Sequence, residues 1–91
     1  MAKVFIPFQL RKFTNGAPEV DVPAATLREL VDELENLYPG IKDRLVKDDK
    51  LRPGLSAVVG YVATRQGLRQ KLDPDVEVHF VPAVSGGYSK T

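Results

Sequence analysis

The chain has no cysteine, no tryptophan, one histidine and one methionine. Without cysteine there is no disulfide framework, no thiolate zinc site, no cysteine-ligated iron–sulfur cluster and no cysteine nucleophile. Any sulfur chemistry must therefore use a group other than a thiol of this protein. His79 alone does not build a histidine-based metal cluster, and no metal site is expected. No run of about 18 apolar residues occurs, so no membrane-spanning helix is expected. No charge of one sign dominates: Lys+Arg is 13, Asp+Glu is 12 and the net charge is +1. A dedicated nucleic-acid binder carries a basic excess, so nucleic acid is not an expected partner. The phosphate-loop pattern Gly-x-x-x-x-Gly-Lys-Ser/Thr is also missing, so the chain has no such nucleotide cradle of its own.

What is present is a foldable chain of 91 residues with 43% hydrophobic side chains. That length fits one domain, since domains run about 50–200 residues. Met1 to Pro7 holds one lysine and no long apolar stretch, unlike a secretory signal. The expectation is a cytoplasmic protein.

Residues 3–10 read as a strand, with Val4, Ile6, Phe8 and Leu10 on one face and Phe5, Pro7 and Gln9 on the other. Pro7 removes one ladder hydrogen bond from it. Thr14-Asn15-Gly16 signals a turn, and Glu19 to Val22 alternates again as a second strand. Thr26 and Glu29 form a capping box. Leu27, Leu30, Val31, Leu34, Leu37 and Tyr38 then recur at helical spacing until Pro39-Gly40. Ile41, Leu45 and Val46 suggest one more short helical turn. Lys47 to Lys50 reads as a charged loop. Residues 55–63 read as a third strand bent at Gly60, and Thr64 to Lys71 as a polar, basic connection. Asp73-Pro74-Asp75 is a turn before a last strand, in which Val76, Val78 and Phe80 alternate with Glu77, His79 and Val81. A hairpin, one main helix and further strands give the element order of an α+β, β-grasp (ubiquitin-like) fold, with a mixed sheet crossed by the helix.

Residues 1–84 form the expected β-grasp domain and residues 85–91 its tail. The tail root is rich in small residues: Pro82-Ala83-Val84-Ser85-Gly86-Gly87, then Tyr88-Ser89-Lys90-Thr91. Residues without side chains make a thin, adaptable segment that can enter a narrow site on another protein. His79 has no second ligand or base beside it in the pattern, and belongs on an exposed sheet face. That face would carry Phe5, Pro7, His79 and Val81, an apolar cluster of the kind that marks docking surfaces. Arg65, Arg69 and Lys71 form a basic cluster in one connection. It is either a solvated loop or a contact for an acidic patch on a partner.

The segment His79-Phe80-Val81-Pro82-Ala83-Val84-Ser85-Gly86-Gly87 resembles the ending of the ubiquitin-like sulfur carriers of the MoaD/ThiS type. Ile6-Pro7 with Leu10-Arg11, Thr14-Asn15-Gly16, and Leu37-Tyr38-Pro39-Gly40-Ile41 with Arg44-Leu45 extend the likeness over nearly the whole chain. It is similar above all to the carrier of thiocarboxylate-dependent cysteine synthesis. The resemblance implies a substrate protein rather than an enzyme, with no catalytic residues of its own. Its terminal glycine carboxylate, here Gly87 with Gly86 and Ser85 as the approach, would be adenylated by a ubiquitin-activating-type enzyme. ATP would be used by that partner, and no cofactor would be bound here. Sulfur would then replace the adenylate, and the thiocarboxylate would serve a sulfur-accepting biosynthetic enzyme. Such carriers are usually monomers when alone.

Two features depart from the family pattern. Four residues follow Gly87, so a free carboxylate there requires cleavage between Gly87 and Tyr88. The resemblance implies an isopeptidase-type metalloprotease for that step. Val59-Gly60-Tyr61-Val62 also stands where relatives carry a polar turn, which bears on the partner recognised and not on the fold. A ubiquitin-like modifier joined to other proteins through Gly87, a small subunit of molybdopterin synthase and a plain β-grasp interaction module are the alternatives.

Overall fold

Alternation along the first strand creates two faces, and only one of them is covered. The computed structural model describes residues 1–82. Strand β1 spans Ala2–Phe5 and buries Ala2 and Val4, while Lys3 and Phe5 turn to the other side. The strand expected over residues 3–10 is shorter than the pattern suggested. Ile6 donates one more backbone bond, to the Pro18 carbonyl at 2.8 Å, and Pro7 then has no N–H to give. With φ −56° Pro7 heads a 3-10 helix, Phe8–Thr14, and Phe8 is 79% exposed instead of lying in the core. Asn15, left-handed at φ 55°, closes that helix. The chain returns as β2 (Glu19–Val22), antiparallel to β1.

Helix α1 covers Leu27–Leu37. The Thr26 hydroxyl accepts from the Glu29 N–H at 3.2 Å, and the Glu29 carboxylate accepts from the Ala25 N–H at 2.9 Å. Leu27, Leu30, Val31 and Leu34 are buried against the sheet. Leu37, expected on the same stripe, is 54% exposed, and the next residue, Tyr38, packs against the core instead. A short helix α2 (Lys42–Leu45) follows, as the Ile41/Leu45 spacing suggested.

Two stretches read as a loop and as one long strand are tight hairpins. Strands β3 (Val46–Lys47) and β4 (Lys50–Leu51) pair across Asp48-Asp49, both left-handed at φ 54° and 64°. Positive φ at both central positions is what a type I′ turn requires. Strands β5 (Leu55–Val59) and β6 (Val62–Ala63) pair across Gly60-Tyr61. Gly60 supplies φ 66° where a side chain would be strained, so the strand reverses there rather than bending. The connection from Thr64 contains a 3-10 turn, Gly67–Arg69, whose Leu68 is buried. Strand β7 (Glu77–Pro82) ends the described chain.

The main sheet has the order β2-β1-β7-β5-β6. Strand β7 runs parallel to β1 and antiparallel to β5, and α1 packs on one face. This is the mixed-sheet β-grasp arrangement. The boundary expected at residue 84 lies outside the described residues.

Leu34→Ala removes a fully buried side chain and is expected to cost about 2–5 kcal/mol of unfolding free energy. Leu37→Ala should cost less than about 1 kcal/mol. Urea denaturation followed by circular dichroism reads both, and equal losses would contradict the packing described.

Candidate functional site

Strand β7, which ends at Pro82, lies in the middle of the sheet. Because β1 and β7 are parallel, the C-terminal ends of both strands lie at one end of the molecule. Phe5 sits beside His79, and Pro82 sits opposite Leu55 of β5. Ser85, Gly86, Gly87 and the Gly87–Tyr88 junction lie outside the described residues. What the structure displays is the surface around the end of β7, the strand that precedes them in sequence.

That surface has two parts. The first is the sheet face away from α1. His79 projects onto it between Phe5 of β1 and Val58 of β5, its lateral neighbours in the register. The Phe5 and His79 rings stack with centroids 4.2 Å apart and planes 6° from parallel. Val81 lies on the same side, next along β7, and Ser56 faces it from β5. Lys3 and Glu19 rim the patch with an exposed ion pair at 3.4 Å. Pro7 lies just beyond β1, at the cap of the 3-10 helix. Arg69 is not part of this face: it belongs to the 3-10 turn packed against α1, on the covered side of the sheet, and Arg65 is exposed in the connection before that turn. There it lines a cleft of about 420 Å³ with Arg28, Asp49 and Lys50. Arg28 and Asp49 are bound in a bidentate ion pair, which holds the Asp49 carboxyl below its usual range.

The second part was not singled out from the sequence. A cleft of about 440 Å³ lies between Phe13, Gly40, Asp43, Arg44 and Arg52. The Arg44 guanidinium lies 5.8 Å from the Phe13 ring centroid, and the Lys12 ammonium 5.6 Å from it. Arg52 donates to the Asp43 carbonyl at 2.9 Å. Glu35 organises the wall: its carboxylate accepts from the Gly40 N–H at 3.1 Å and the Lys42 N–H at 2.9 Å. Gly40 has φ 102°, and a Cβ there would meet the Phe13 ring at 3.1 Å. Phe13, Gly40 and Arg52 stand far apart in sequence, so no local pattern announces their meeting. The Tyr38-Pro39-Gly40…Arg44 spacing was the one available signal.

Among the described residues no group of three or more His, Asp or Glu side chains is placed to hold a metal ion, and no helix is long and apolar enough to cross a membrane.

A ubiquitin-like β-grasp domain, with its last strand central and a Gly-Gly segment following in the sequence, has the build of a small carrier protein. The chain belongs to the ThiS family, whose match covers residues 4–87. It is similar to a chain of the Amycolatopsis orientalis BexX/CysO complex, with 35% identity, a TM-score of 0.87, and 96% of this chain and 100% of that one covered. It is similar also to Mycobacterium tuberculosis CysO, described as an antigen, with 30% identity, a TM-score of 0.86, and 92% and 100% covered. Small archaeal modifier protein 1 of Methanosarcina acetivorans matches at 25% identity with a TM-score of 0.75, covering 94% of this chain and 95% of that one. No curated protein sequence matches. The family is thus that of the ubiquitin-like sulfur carriers, and the chain stands close to the CysO type.

The Glu35 carboxyl is held below its ordinary range, chiefly by the Lys42 N–H and then by the Gly40 N–H. A carboxyl depressed in the folded state stabilises that state above its ordinary pKa. The contribution is lost as pH falls from about 4.3 through the depressed value. Glu35→Gln should therefore lower the melting temperature at pH 7 and narrow its gap to the parent below about pH 4. A gap that widens on acidification would contradict this role.

Proposed function

We propose that this protein is a sulfur carrier, acting as substrate rather than catalyst. After residues 88–91 are removed, the Gly87 carboxylate attacks the α-phosphate of ATP on a ubiquitin-activating-type enzyme and releases pyrophosphate. A sulfide equivalent then attacks the acyl carbon, AMP leaves, and a thiocarboxylate remains. Adenylation is needed because a carboxylate is a poor electrophile and the mixed anhydride carries a good leaving group. The thiocarboxylate donates its sulfur in the site of a biosynthetic enzyme. The removal step belongs to an isopeptidase-type metalloprotease.

The observation that carries this reading is the span of the family match. It ends at Gly87, which supports reading Tyr88-Ser89-Lys90-Thr91 as an extension to be removed. The position of β7 supports it as well. A tail rooted in the middle of the sheet has docking surface on both sides of its base, so a partner can grip the domain while the tail enters its site. The stacked Phe5/His79 pair with Val81 is the apolar part of that grip. The chain works in the cytoplasm, where ATP is available to the partner. The likeness to an archaeal modifier protein favours a second reading, conjugation of Gly87 to lysines of other proteins.

Intact-mass analysis of the protein from its native cell tests the first reading. The expected species ends at Gly87, with a fraction in which one oxygen is replaced by sulfur. Retention of Thr91 in every molecule would end it, and higher-mass conjugates on denaturing gels would favour the second reading.

Phe5→Ser combined with Val81→Ser removes half-buried apolar surface from the uncovered sheet face and should leave the fold intact. It should weaken adenylation by the activating enzyme about tenfold or more, as loss of a central apolar contact does at interfaces. Unchanged pyrophosphate release would remove this face from the docking surface.

A further inference from the structure

The Phe13 cleft has no role in the chemistry proposed for Gly87, yet it lies at the same end of the molecule as the tail root. The Leu55 N–H donates to the Arg52 carbonyl at 3.0 Å, and Leu55 is the register partner of Pro82. Arg52 is thus one hydrogen-bonded turn from the strand pair that releases the tail. We propose that this cleft is a carboxylate-binding site that takes an acidic side chain, Asp or Glu, from a segment of the protein that handles the tail.

Charge is the first reason. Arg44 and Arg52 line the cleft and Lys12 lies beside its Phe13 wall, against the Asp43 carboxylate and that of Glu35, which two backbone N–H groups already engage. None of the three cations is in an ion pair among the described residues, whereas the cations of the second cleft include Arg28, already neutralised by Asp49. Preorganisation is the second. The Phe13 ring holds the Arg44 head on one side, and the Asp43 carbonyl holds Arg52. Guanidinium groups fixed in this way lose less freedom on pairing with a carboxylate, and their forked donors match its two oxygens.

The local backbone favours a carboxylate over a phosphate. Phosphate sites rely on a nest of free backbone N–H groups. Here the N–H groups of Gly40 and Lys42 already donate to Glu35, and that of Ile41 donates to the Tyr38 carbonyl. With these three successive N–H groups engaged no such nest is open at Gly40 to Lys42, and Asp43 repels a dianion more than a monoanion.

The purpose assigned to the cleft rests on the carrier reading, but its ligand preference is measurable without any enzyme. The probe is a synthetic peptide with alternating Glu and Gly, titrated into the ¹⁵N-labelled full chain at low salt. The expected result is a set of saturable shifts centred on Phe13, Gly40, Arg44 and Arg52, weakened by salt on the scale of the Debye length. Arg44→Gln with Arg52→Gln should raise the peptide's Kd about fivefold or more, the loss of two exposed charge pairs. Lys47→Gln with Lys50→Gln removes the same charge elsewhere and should change it less than about twofold. Shifts spread evenly over all basic residues, or equal losses in the two double variants, would overturn the proposal. So would displacement of the peptide by an equal concentration of inorganic phosphate. If Arg44→Gln with Arg52→Gln unfolds, the parent's shift map alone decides between a local and a diffuse site. Failure here leaves the intact-mass result for Gly87 untouched, and the reverse also holds.

Discussion

The first and last strands of this chain lie side by side and point the same way. Lys3, Val4 and Phe5 stand in register with Glu77, Val78 and His79. A parallel pair cannot be joined by a short turn, so the chain between must leave the sheet and return. Helix α1 makes that excursion and covers the face it crosses. Strand β5 then closes on the far side of β7. Val4 and Val78, both fully buried, are the point at which helix, first strand and last strand meet. Remove that pairing and neither the core nor the exit of the tail has a defined place.

The same pairing decides what surrounds the tail root. At the carboxyl ends of β1 and β7 the chain cannot continue as β1, because Pro7 gives no N–H. It turns into the 3-10 helix instead and carries Phe13 toward the end of α1. There Gly40, with no side chain to collide with the ring, lets Phe13 approach, and Glu35 pins the backbone by accepting its N–H groups. A proline and a glycine, each acting through backbone geometry, thus build one wall of the molecule at its working end. The open sheet face is simpler. It is the other half of the strand alternation that filled the core, and Phe5 stacks on His79 because the parallel register makes them neighbours.

Much of this was legible in the residues. Thr26 with Glu29 and the Leu27/Leu30/Val31/Leu34 stripe mark α1 through local rules of capping and periodicity, and the helix starts where they say. Alternation in residues 76–81 identifies β7 and the face on which His79 lies. The misread stretches each depend on something that a local pattern does not carry. Val4, Ile6, Phe8 and Leu10 alternate like a strand, but alternation carries no information about whether a partner strand is there to accept the bonds. Leu55 to Ala63 is largely apolar, and the reversal at Gly60 depends on one residue's φ. Lys47 to Lys50 looked like a loop because its hairpin is only two residues deep on each side.

By itself the sequence determined the absence of thiol chemistry, the β-grasp order of elements, and the Gly86-Gly87 ending with four residues beyond it. These are local or compositional properties, and they follow from residue types read in order. The tertiary structure decided which strands are neighbours, and hence that β7, ending at Pro82, is central and flanked by β1 and β5. It also decided that Phe13, Arg44 and Arg52 share one cleft while Arg69 faces another. Those placements depend on contacts between residues far apart in the chain, which only packing of the helix on the sheet brings together.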